Sequence, residues 1–100
     1  MPYAYSKGSN QQRLFMHMNK NIGEYRNLSD LPLITTLHYF GIREEAIEKD
    51  NHGKSYFNFW ITKEVDELTR KFYAGQLLVD PAAFALHLRA TKNQIYRQGL

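Results

Sequence analysis

The chain has 100 residues, 43% of them apolar and 14% aromatic, with a net charge of +3 and no cysteine. That size suits one domain burying about two-thirds of its unfolded surface, so stability is modest and self-association would help it, while the lack of cysteine excludes disulfides, thiolate nucleophiles and cysteine-bound metals. No run approaches the roughly 18 apolar residues of a membrane span, and no secretory signal opens the chain, so a cytoplasmic protein is expected.

Charge is unevenly placed. Residues 1–23 carry Lys7, Arg13 and Lys20 and no acid, the stretch 24–67 holds nearly all the carboxylates, and 68–100 has five basic residues against Asp80 alone. Basic ends around an acidic centre steer a chain toward phosphates or an acidic partner, and are equally what ordinary solvated surface produces.

Residues 1–13 are polar, with Gly8, Ser9 and Asn10 together, and show neither helical nor strand period. Leu14, Met16 and Met18 share one side of an extended chain. Residues 1–23 thus read as an N-terminal arm or edge strand, with disorder an open alternative, ahead of a single α+β domain over 24–100. Glu24 to Leu28 reads as a strand leading into a helix.

Ser29-Asp30 offers capping oxygens and Pro32 falls in the first turn, so a helix is expected from 30 to 40, with Leu31, Ile34 and Leu37 inward and Gly41 just past its end. Ile42 to Lys49 is charged and poorly patterned. Asp50-Asn51-His52-Gly53 favours a turn, and Ser55 to Ile61 alternates as a strand, with Phe57, Phe59 and Ile61 on one side and Tyr56, Asn58 and Trp60 on the other.

Thr62 caps the next helix, whose Glu64, Asp66 and Glu67 complement its positive end; Val65, Leu68 and Phe72 form its buried stripe and Gly75 closes it. Asp80-Pro81 starts a last helix that runs to about Arg97, with Phe84, Leu88 and Ile95 inward. The order strand, helix, hairpin, helix, helix implies helices over one face of a small antiparallel sheet.

From Tyr25 to about Tyr96 the chain resembles a small family of bacterial and phage proteins known only as a domain of unknown function. The likeness rests on Tyr25 with Ser29-Asp30-Leu31 and a helix closed by Gly41, on Phe57-x-Phe59, and on Phe72-Tyr73-x-Gly75. Val79-Asp80-Pro81-x-x-Phe84 followed by Leu88-Arg89-x-x-Lys92 completes it. The resemblance implies the fold and a setting in mobile elements, and brings no catalytic residue with it. Thr35, Thr36 and His38 depart from the small apolar residues expected in that first helix.

His17, His38, His52 and His87 lack metal-ligand spacing, and no nucleophile elbow or phosphate-binding glycine loop is present; neither cofactor, metal nor catalytic residue is expected. Glu44, Glu45 and Glu48 read as a solvated strand edge rather than an acid–base pair. On the last helix, Arg89, Lys92 and Tyr96 fall at i, i+3 and i+7, with Asn93 and Arg97 adjoining: a basic, hydrogen-bonding face for phosphates, or simply cations complementing the helix dipole. Tyr56 and Trp60 offer a second surface, free to stack bases, to bury against a partner, or to lie under the N-terminal arm.

The expected function is a non-enzymatic binding module, contacting nucleic acid through Arg89, Lys92, Tyr96, Arg97 and Lys54 with Tyr56 and Trp60 stacking. The alternative is a protein-interaction module, either a homodimer or an inhibitor or adaptor of a host complex.

Overall fold

A computed structural model describes residues 22–98. The expected arm and the edge strand at Leu14 to Met18 lie outside the described residues. Within them the order is β1 (Tyr25–Leu28), α1 (Leu31–Tyr39), β2 (Ala46–Lys49), β3 (Ser55–Trp60), α2 (Lys63–Tyr73) and α3 (Pro81–Gln98). The fold is α+β, as the patterning implies.

The sheet is antiparallel throughout, in the order β1-β3-β2. Strand alternation sets which side faces what, because successive side chains point to opposite faces. Phe57, Phe59 and Ile61 are at most 1% exposed and form the core with Leu33, Ile34 and Leu37 of α1 and Val65 of α2. Leu28, Ile42, Ile47, Leu68, Phe72 and Ile95 pack around them.

Helix ends follow their local chemistry. Asp30 accepts from the Leu33 amide, Thr62 from the Val65 amide and Asp80 from the Ala83 amide, each satisfying an otherwise orphaned donor of a first turn. α1 closes with Gly41 at φ +86, the Gly41 amide bonding the His38 carbonyl and the Ile42 amide the Leu37 carbonyl. This paired bonding needs the left-handed conformation that glycine adopts without strain. It reverses the chain so that the residues after Ile42 run back beside α1.

The polar residues of α1 are buried, not outward. Thr35, Thr36 and His38 are all under 5% exposed, since α1 is covered by the sheet and α2 on one side and by α3 on the other. The two threonine hydroxyls donate to the carbonyls of Leu31 and Pro32, each at 2.8 Å, so burial leaves neither donor unmet. α3 docks on α1, and its Ile95 packs against the core that β3 shares with α1 and α2. The three helices therefore pack together on the side of the sheet that carries Phe57 and Phe59.

Candidate functional site

Three regions carry chemistry. The first is the outer stripe of α3. Its inward side is Phe84, His87, Leu88, Thr91, Gln94 and Ile95, while Arg89, Lys92, Asn93, Tyr96 and Arg97 are all exposed on the other. No acidic residue occurs in the helix sequence, and an open groove beside Arg89 and Lys92 is floored by Ala85 and Leu88. Tyr96 is 69% exposed, its hydroxyl free to donate alongside the cations.

The second region is the open face of the sheet. Trp60 is 42% and Tyr25 57% exposed, and the two rings meet edge to face at 4.8 Å. Asn58 donates to Asn27 at 2.9 Å across the same strand pair. Tyr56 is half-buried, with Lys54 Nζ 5.7 Å from its ring centroid and its hydroxyl donating to Asp50. Glu48 stands opposite Tyr56 in the register, so among the described residues this face sets the Glu48 and Asp50 carboxylates beside Lys54. Asp50 also accepts from the His52 and Lys54 amides, and the Lys54 amide chiefly holds its carboxyl below the usual range.

The expected contact residues thus divide into two groups. Arg89, Lys92, Tyr96 and Arg97 lie together on α3; Lys54, Tyr56 and Trp60 lie on the sheet face that points away from α1, with the sheet between the two groups. A single surface combining all seven is not formed. Layer stacking decides this, and strand alternation alone does not reveal where a third helix docks.

The third region is buried. His38 Nδ1 meets Thr91 Oγ1 at 2.8 Å and His38 Nε2 meets Glu44 Oε1 at 2.7 Å; Gln94 donates to Glu44 Oε2 at 3.0 Å. Glu44 is therefore not part of a solvated strand edge. It precedes β2, returned toward α1 by the reversal at Gly41, and its side chain is 10% exposed. Burial pushes the His38 imidazole below its ordinary value, outweighing the bond to Glu44, and Arg43 and His87 push the same way. Burial alone would raise the Glu44 carboxyl, but its own backbone amide, His38, Gln94 and Arg43 together hold it below the usual range. Hydroxyl, imidazole and carboxylate stand in the order of a nucleophilic relay, with Thr91 fully buried. The arrangement joins elements.

Asp66 lies in the first turn of α2, at the positive end as expected, and is buried there. It is 2% exposed, with Oδ1 lacking a partner among the described residues, and burial raises its carboxyl against the pull of Arg26 and Arg70. No group of metal-ligating side chains occurs among the described residues, and no helix there is long and apolar enough to cross a membrane.

A family model described as "Domain of unknown function (DUF5659)" matches residues 23–97. No curated protein and no solved structure matches the chain.

Proposed function

Since the chain belongs to the DUF5659 family, a domain of unknown function, its role has to be argued from its geometry, and we propose a non-enzymatic nucleic-acid-binding module whose contact surface is α3. One observation carries this reading: Arg89, Lys92, Asn93, Tyr96 and Arg97 share one exposed stripe of a helix with no acid. Cations gain affinity by releasing phosphate counterions, long polar side chains fix register, and a helix fits the major groove of a duplex. Labelled duplex and single-stranded oligonucleotides titrated at low salt test it. Duplex binding is expected, with log K falling against log salt at a slope of about −3 for three phosphate contacts. No binding at micromolar protein defeats the reading, and preference for single strands moves the site to the sheet. A cytoplasmic setting in a phage or mobile element belongs to the same proposal, and gene neighbourhood tests it.

A second reading is favoured by the open sheet face, where Trp60 and Tyr25 remain exposed: a protein-interaction surface, for a second copy or a host complex. Aromatic anchors of this kind dominate interface energetics. Trp60→Ala should then abolish any self-association seen by light scattering, while Lys92→Glu leaves it intact; the reverse result discards this reading.

A further inference from the structure

α3 is attached to the rest of the molecule chiefly through α1. It is held there by Tyr39, packed against Phe84 and His87 and accepting from the Asp80 amide, by Ile95 against the core, and by the polar cluster between them. In that cluster, His38 on α1 binds Thr91 on α3, and Glu44, which follows α1, binds both His38 and Gln94 on α3. We infer that His38 is a proton-operated clasp, and that taking up a proton loosens α3 from α1.

The hydrogens show how the clasp accepts a proton. With Glu44 ionised, the 2.7 Å contact requires the hydrogen on His38 Nε2. A neutral ring then presents a bare Nδ1, which accepts the Thr91 hydroxyl. An imidazolium donates from both nitrogens, so the Thr91 hydroxyl turns to the His87 carbonyl, 2.9 Å away. Both states keep His38 bonded to Glu44 and Thr91; the imidazolium alone leaves the Thr91 hydroxyl to donate to the His87 carbonyl, and the two states differ in charge.

That charge is placed among apolar rings. His38 is 4% exposed, with the Phe57 and Phe59 centroids 6.0 and 6.2 Å from its own. The charged groups facing it are Glu44 and Arg43 from the segment after α1 and His87 from α3. Glu44 favours the imidazolium, but Arg43, 3.6 Å from Glu44, and His87 oppose it, and lost hydration outweighs the rest. An undocked α3 would leave His38 hydrated. The docked state, binding the proton less well, is fully favoured above the ordinary imidazole value of 6.5 and loses ground as pH falls below it. Glu44, held below its ordinary 4.5, adds a second loss in stronger acid.

Amide exchange of the full chain at about pH 7.5 and about pH 5.5, corrected for intrinsic rates, tests the clasp. Protection at Thr91 to Ile95 is expected to fall severalfold in acid, the loss beginning near the ordinary imidazole value and levelling off where the docked His38 ring, followed by NMR, takes up its proton. His38→Gln keeps a donor toward Glu44 and an acceptor toward Thr91 without the titration, and its α3 protection should not change with pH. Unchanged protection in the native chain, or the same acid loss in His38→Gln, overturns the clasp.

For its functional consequence the inference rests on the nucleic-acid reading of α3. Protonated histidines alone would tighten phosphate binding in acid, whereas the clasp weakens it, and His38→Gln restores the tightening. If oligonucleotide binds at no pH while protection still falls, the nucleic-acid reading fails and the clasp stands.

Discussion

Phe59→Ala is expected to remove about 3–5 kcal/mol of stability, lowering Tm by roughly 15 °C or more. Phe59 is completely buried and faces His38 of α1, so truncation opens a cavity under a helix on which α3 docks. Marginal domains hold only about 5–15 kcal/mol in total, and at the lower end this single change unfolds the chain. Trp60, the next residue along, is 42% exposed on the other face. Its alanine variant loses the edge contact with Tyr25, worth about 0.5–1.5 kcal/mol beyond area burial. Thermal melts of the two variants therefore measure the alternation of β3 directly. Equal shifts would mean that both faces of the sheet are covered.

Reversing Arg89, Lys92 and Arg97 together to glutamate is expected to weaken duplex binding roughly a hundredfold or more at low salt. Native binding should itself drop about 40-fold between about 50 and about 200 mM salt, as the three-contact slope requires. All three residues are exposed, and surface substitutions of this kind normally change stability by less than about 0.5 kcal/mol each. A melt close to native, with binding gone in fluorescence anisotropy, locates the contact on α3. Undiminished binding would remove α3 from consideration.

The parts of the fold that could be read in advance are those with local causes. Asp30, Thr62 and Asp80 each cap a helix within three residues of their own position; Gly41 and Gly75 adopt positive φ just past helix ends; Phe57, Phe59 and Ile61 share a face because a strand alternates. What escaped depends on partners far along the chain. His38 and Thr91 are 53 positions apart and Glu44 and Gln94 are 50, and no local pattern joins them. A trace was present all the same: Thr35, Thr36 and His38 interrupt an apolar helix, and Thr91 sits three residues from Leu88 on the inward stripe of α3. Polar residues at positions that packing makes interior need partners, and these supply part of one another's. The candidate contacts split for a related reason, since a helix's own stripe tells which side faces inward but not which layer it faces.

The sheet order also bears on how the chain finds its shape. β2 and β3 are neighbours joined by the turn at Asp50 to Lys54, so they pair early and locally. β1 must instead reach across α1 to add to the far side of β3, Asn27 bonding Asn58 over 31 positions. Closing that loop takes chain entropy before any contact repays it, and pairings of high sequence separation are the slow ones. The hairpin is therefore the expected template, and β1 the strand expected to pair after it.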